Sequence, residues 1–231
     1  MKPLPQSLHH FQRLSELEHS PQNQDVLAWP NLVGRLVEVT GGPRTLRLGW
    51  LTQLTQEVQA LGDVVVWLQT LESTPFPPDL QRAGVHLETL VVVKLPDFAA
   101  QLRAADVLLR SGAFGLCAID ATAAQQRSLD ATRTLDNALG RLLGLCQKHG
   151  SALVFLTPAK KMEHTEQNFD GFLQSSLISL RMSIARDRGD LQRVQVDIQK
   201  DKRHGRRQIQ AEMGQEPTGF YSGQHGKAHA T

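Results

Sequence analysis

The chain has 231 residues, enough for one α/β domain with a sizeable core and short tails. Hydrophobic residues make up 40% and charged residues 21%, which excludes wholesale disorder. The formal net charge is only +2, so affinity for nucleic acid has to come from a local patch rather than the global balance. Cys117 and Cys146 each lie in an apolar run, as expected of buried free thiols in a reducing compartment. No run approaches the roughly 18 apolar residues of a membrane span, and no signal-peptide pattern opens the chain. A soluble, cytoplasmic protein is expected.

Residues 1–25 are polar and uneven, with one short helical stripe at Phe11, Leu14 and Leu17. Residues 26–212 are read as the core domain and 213–231 as a flexible tail rich in Gly, His and Gln. Within the core, Leu36–Thr40 is a short apolar run ending in Gly41-Gly42-Pro43. A helix follows with Leu51, Leu54, Val58 and Leu61 on its inner side, closed by Gly62. Val64–Leu68 is continuous and β-branched, as a strand covered on both faces should be. A Pro-rich connection leads to a short helix ending at Gly84, then a strand at Thr89–Val93. Next come a helix over Pro96–Arg110, a strand over Phe114–Ile119 ending at Asp120, an amphipathic helix from Leu135 to Cys146, and a strand over Ala152–Thr157.

Strands alternating with helices of this length predict a mostly parallel sheet with helices on both faces. The pattern then changes. Leu180, Met182 and Ile184 alternate with polar residues, as do Val194, Val196 and Ile198, and then Ile209 and Ala211. This predicts C-terminal antiparallel strands forming a meander at the sheet's edge.

The order of elements and four local strings resemble the core of the RecA recombinases, from about Leu32 to Met213. The strings are Gly34–Val39 before the phosphate loop, Ala83–Leu90, Leu109–Ala113 leading to Ile119-Asp120, and Gln195–Lys202 with its Lys-x-Lys pair. Short length and an altered loop make the chain most similar to ImuA-type proteins, the RecA-like members of bacterial mutagenesis cassettes. That resemblance implies a RecA-like fold, and as partners RecA, an ImuB-like Y-family polymerase homologue and an error-prone replicative-type polymerase.

A working phosphate loop reads G-x-x-x-x-G-K-[ST]: glycines let backbone N–H groups wrap phosphates, the lysine reaches them, and the hydroxyl holds Mg²⁺. Here the matching stretch is Gly41-Gly42-Pro43-Arg44-Thr45-Leu46-Arg47-Leu48. Leu46 stands at the second glycine position, Arg47 at the lysine and Leu48 at the hydroxyl. Glu72 falls where the resemblance places the water-activating glutamate, and Asp120 at the Walker B position, free to bond the loop backbone or pair with Arg47. Pro158 stands where the family carries a phosphate-sensing glutamine. Phosphoryl transfer relies on positioning and on metal-borne charge. The expectation is a protein with no catalytic residues and no cofactor; weak ATP binding without turnover stays open. On the simplest reading, Glu72 and Asp120 are helix caps or loop anchors.

Lys200, Lys202, Arg203, Arg206 and Arg207 crowd one hairpin with only Asp201 opposing them, and Lys160 and Lys161 open the segment resembling a DNA-binding loop. Such clusters are a phosphate footprint or simply a solvated surface. Stacking aromatics are scarce, with Phe169 and Phe172 the only ones near that loop. The nine histidines are scattered without zinc spacing, so no metal site is expected. Trp29, Trp50 and Trp67 read as packing residues, with an interface as the alternative for Trp29. Taken together, these features predict a non-hydrolysing adaptor in DNA-damage tolerance, linking error-prone polymerase components with RecA or single-stranded DNA. The alternatives are a DNA-binding regulator of RecA filaments and an ATP-dependent recombinase.

Overall fold

A computed structural model describes residues 27–71, 76–121, 132–158, 173–186 and 193–212. Its frame is an eight-stranded sheet in the order β3-β2-β4-β5-β1-β6-β7-β8. The strands are β1 (Leu36–Thr40), β2 (Val64–Thr70), β3 (Leu90–Leu95), β4 (Phe114–Asp120), β5 (Ala152–Leu156), β6 (Leu180–Arg186), β7 (Arg193–Asp201) and β8 (Arg207–Glu212). The helices are α1 (Trp29–Leu32), α2 (Arg44–Ala60), α3 (Pro77–Arg82), α4 (Phe98–Ser111) and α5 (Thr132–His149). The expected α/β architecture with C-terminal antiparallel strands is what folds.

β1 lies inside the sheet with parallel neighbours on both sides, Val37 aligning with Val154 of β5 and with Leu180 of β6. All five of its residues are buried, as are all five of β5. That explains the unbroken apolar run of β5 and the apolar run of β1 around its one buried carboxylate, Glu38, because side chains pointing to either face meet a helical layer. On one face, Val37, Val39, Val65 and Trp67 pack under α1, α2 and α3 through Trp29, Leu51, Leu54, Val58 and Leu80. On the other, Leu36, Leu68, Ile119 and Phe155 pack under α4 and α5 through Leu109, Leu139 and Cys146.

β6 enters the sheet parallel to β1, and only then do β7 and β8 continue antiparallel. The meander thus forms one edge of the sheet, as expected, joined to the parallel strands through β6. At the opposite side, among the described strands, β3 pairs only with β2.

Local chemistry sets the ends of the helices. Asp97 caps α4 by accepting from the Ala100 N–H at 2.7 Å, and Gly112 closes it in the left-handed conformation, φ 68°. The sequence placed Leu61 on the inner side of α2, but the helix stops at Ala60 and Leu61 is 66% exposed. The chain turns at Gly62, φ 88°, before another inward position can be reached. A short 3₁₀ turn, Leu87–Thr89, precedes β3, which starts at Leu90 and runs on to Leu95. Trp29 is buried in the first layer, and its backbone N–H donates to the Glu57 carboxylate at 3.2 Å. Both cysteines are buried free thiols. No helix among the described residues is long and apolar enough to cross a membrane.

Candidate functional site

β1 delivers the chain to Gly41-Gly42-Pro43 at the carboxyl end of the parallel strands, where open α/β sheets place their ligands. Gly41 and Gly42 both adopt positive φ, 80° and 50°. A Cβ on Gly41 would lie 2.3 Å from the Ser183 hydroxyl oxygen, and one on Gly42 would lie 2.7 Å from the Ile184 carbonyl oxygen. Both glycines are thus required by the loop's close approach to β6, whatever else they do. Pro43 occupies the N-cap of α2 and has no N–H to offer.

The first turn of α2 decides what fills this loop. Leu46 and Leu48 are fully buried in the core. Arg47 is also buried, and its Nη1 donates back to the carbonyl oxygens of Gly41 and, at 2.9 Å, of Gly42. Carbonyl oxygens are thereby turned toward a cation, the opposite polarity from a cradle of N–H groups around an anion. The Arg47 Nε is buried without a hydrogen-bond partner. Burial pushes the Arg47 guanidinium below its ordinary value, nearby Asp120 opposes that shift, and Arg44 adds to it.

Asp120, at the end of β4, pairs with Arg44 rather than with Arg47. Its Oδ2 accepts from Arg44 Nη2 at 2.5 Å and from Nε at 3.2 Å. The carboxylate is 4% exposed, so the guanidinium is its principal compensation for burial. Gln101 of α4 ties the same corner together, its amide Nε2 donating to the carbonyls of Asp120 at 3.1 Å and Leu68 at 3.3 Å. The Thr52 hydroxyl donates to the Leu48 carbonyl at 2.8 Å within the helix. Glu72 lies outside the described residues, as do Lys160 and Lys161.

The basic hairpin sits at the other end of the sheet. Asp201 aligns with Leu180, the first residue of β6, and β6 runs parallel to β1. The structure therefore does not bring the hairpin and the Gly41–Asp120 corner together. It also divides the five cations. Lys200 Nζ donates to the carbonyls of Ser176 at 3.2 Å and Ser175 at 3.4 Å. Arg203 reaches the carbonyls of Asn31 at 3.2 Å and Val33 at 3.3 Å, clamping the hairpin onto the end of α1. Lys202 and Arg206 are exposed, while Arg207 is half-buried with Nε and Nη2 unpartnered. Asp201 does not counter these charges at the tip. It is buried, accepting from Arg35 Nη2 at 2.6 Å, from the Arg203 N–H at 2.9 Å and in contact with His204 Nδ1 at 3.1 Å.

Over 142 residues the chain is 28% identical to Protein RecA of Fusobacterium nucleatum, a match covering 55% of this chain and 37% of that protein. Over 137 residues it is 30% identical to DNA repair protein recA homolog 1, chloroplastic, of Arabidopsis thaliana, covering 53% of this chain and 30% of that protein. These likenesses accord with the α/β sheet already described. The chain has a RecA-like core. It spans well under half the length of either relative, and no protein-family model matches it.

Within the RecA-like core, two residues that sequence reasoning passed over shape the corner after β1. Arg44 lies one helical turn before Arg47 on the same side of α2, so the i, i+3 spacing was a visible sign that either could reach Asp120. Pro43 was visible too, as a missing donor in a loop where donors matter. The buried carboxylate of Glu38, in the middle of β1, carried no sequence signal at all. It accepts from Arg181 Nε at 2.7 Å, from the Leu173 N–H at 3.0 Å and from the Thr157 hydroxyl at 3.1 Å. Among the described residues no group of three or more His, Cys, Asp and Glu side chains is placed to hold a metal.

Proposed function

We propose that this chain is a non-hydrolysing RecA-like adaptor in DNA-damage tolerance, linking the components of an error-prone polymerase assembly with RecA or single-stranded DNA. One observation carries the reading: the Arg47 guanidinium occupies the loop after β1, bonded to the Gly41 and Gly42 carbonyls. A phosphate entering there would meet carbonyl oxygens and a proline in place of donor N–H groups. Leu48 supplies no metal-binding hydroxyl, and the Asp120 charge is already balanced by Arg44. Removing single electrostatic groups from a reacting centre costs about 10²–10³ in rate, and here several differ at once. The place in DNA repair is supported by the two relatives, named as RecA and as a DNA repair protein. Partners in this reading are RecA, an ImuB-like polymerase homologue and an error-prone replicative-type polymerase.

The test follows a fluorescent ATP analogue with Mg²⁺, with and without single-stranded DNA, and reads phosphate release in the same samples. No saturable binding and phosphate release at the buffer background are expected. Tight binding, or release stimulated by DNA, would sink the adaptor reading and make the chain a motor.

A second reading, a DNA-binding regulator that competes with RecA for strands, draws on Lys202 and Arg206, two of the three exposed cations of the hairpin. Replacing both by alanine separates the two readings. A regulator loses its strand affinity and the salt slope falls by about two, whereas an adaptor keeps its protein partners.

A further inference from the structure

Below the basic hairpin, between the start of β6, the end of β7 and residues 174–176, lies a polar cleft of about 600 Å³. Its chemistry comes from a β-bulge. β7 pairs with β6 so that Arg181 faces Lys200 while the next residue, Met182, faces Ile198, leaving Gln199 as the extra residue. The bulge turns Lys200 onto the same face of the sheet as Arg181, where simple alternation would have sent it to the opposite side. Gln199 lines the cleft, is more than nine-tenths buried, and has both its Nε2 and its Oε1 without a hydrogen-bond partner. A buried amide unsatisfied at both ends is costly unless something bonds it.

Charge in the cleft is one-sided. Lys200 uses two of its three N–H donors on the Ser175 and Ser176 carbonyls. Arg206 stands exposed at the rim, with no hydrogen bond or ion pair among the described residues. Asp201, also in the wall, is committed to Arg35 at 2.6 Å. Burial lowers the Lys200 ammonium below its ordinary value, Arg181 and Lys202 lower it further, and Glu38 opposes them. Apart from that burial, the positive charges of Arg181 and Lys202 beside Lys200 favour an anion in the cleft.

We infer that this cleft docks an extended acidic segment of a partner protein, its carboxylate held by Arg206 and Lys200 and its backbone amide paired with Gln199. The Gln199 side chain offers one donor group and one acceptor, the complement of a peptide unit's C=O and N–H. A phosphodiester has only acceptors and would leave Oε1 unpaired. Among the described residues no aromatic side chain lines the cleft to offer a nucleobase a stacking surface. The inference gives the adaptor reading a partner chemistry and rests on it for its use in the cell.

Fluorescence anisotropy tests it on the full chain, without nucleotide, using labelled heptapeptides that carry one to three Asp or Glu residues in a Gly/Ser background. Matched peptides with Asn or Gln in those places serve as the comparison. Saturable binding of the acidic series alone is expected, weakened about tenfold by Arg206→Ala and again by Gln199→Leu, the loss of roughly one charge-assisted or one amide bond. Arg206 is exposed, so its variant folds normally even if Gln199→Leu does not. Equal binding of the two peptide series, or indifference to Arg206→Ala, overturns the inference. So does displacement of the acidic peptides by oligo(dT) at lower concentration, which would assign the cleft to DNA. A failure with peptides leaves the nucleotide result untouched. ATP turnover would sink the adaptor reading whatever the peptides do.

Discussion

Two arginines one turn apart on α2 take different partners because their depths differ. Arg47 is fully inside and satisfies loop carbonyls, while Arg44 keeps 27% of its side chain in solvent and reaches the carboxylate of β4. At the other end of the sheet, Arg35 and Asp201 form a deeper pair, 2% and 0% exposed. Removing one partner of such a pair strands the other charge, so Arg35→Met is expected to cost about 3–5 kcal/mol in urea unfolding. Lys202→Ala, at an exposed position, is expected to stay within about 0.5 kcal/mol.

The same pair sets an acid limit. Burial alone would raise the Asp201 carboxyl, but the Arg203 N–H, the Arg35 guanidinium and His204 outweigh it, so it lies below its ordinary 3.8. A depressed carboxyl stabilises the fold above its unfolded value and ceases to do so as pH falls through its folded one. Denaturant midpoints should therefore fall below about pH 4, and Asp201→Asn should lower neutral stability while flattening that decline. Glu57 acts in the opposite sense: burial raises its carboxyl above 4.5, so its contribution is present at low pH and fades as pH rises through the raised value. A difference curve between the parent and Asp201→Asn separates the two. An unchanged acid limb in the variant would contradict the assignment. None of this was legible in the sequence, where Asp201 looked like a lone counter-charge among surface lysines and arginines. Nothing in a local pattern says that it turns inward toward a residue on a distant segment.

At the scale of elements, two glycines and one bulge carry more consequence than any helix boundary. Gly62 and Gly41 both need positive φ, but only Gly41 is also pressed against β6. Gly62→Ala should cost about 1 kcal/mol, the price of the left-handed backbone alone. Gly41→Ala should cost clearly more, since its Cβ would fall 2.3 Å from the Ser183 oxygen. Equal losses by thermal unfolding would show that the loop can withdraw from the strand. The alternation of strand and helix was readable because the parallel strands are mostly apolar runs and the helices keep a 3.6-residue stripe. The bulge at Gln199 was not, because an alternating run of Val194, Val196 and Ile198 gives no hint of where pairing slips by one. Arg47 was visible as a substitution, but its return to the loop's own carbonyls was not, since a sequence carries no side-chain direction.

For the molecule as a whole, sheet order was the part least available to sequence reasoning. Helical crossovers fix that strands are parallel, not which strands are neighbours, and here β1 lies between β5 and β6. The resulting core closes over both thiols. Burial pushes the Cys117 thiol far above its ordinary value and raises Cys146 to about 11. Reaction with Ellman's reagent at pH 8 should then be slow in the native state and rise in step with unfolding across a urea series. Rapid labelling before the unfolding transition would mean that the layer under α4 and α5 opens on its own.

The position of β1 also bears on how the protein comes to be. Among the described strands it comes first in the chain, yet Leu36 waits for Leu153 and Thr40 for Ser183. Contacts so far apart in the chain make for slow folding, since the closure of long loops precedes the reward. Until those late segments leave the ribosome, a strand buried along its whole length in the finished fold has no neighbour on either side. Yield in a cell should therefore depend on how well chaperones shield the nascent chain, more than on the stability of the finished fold.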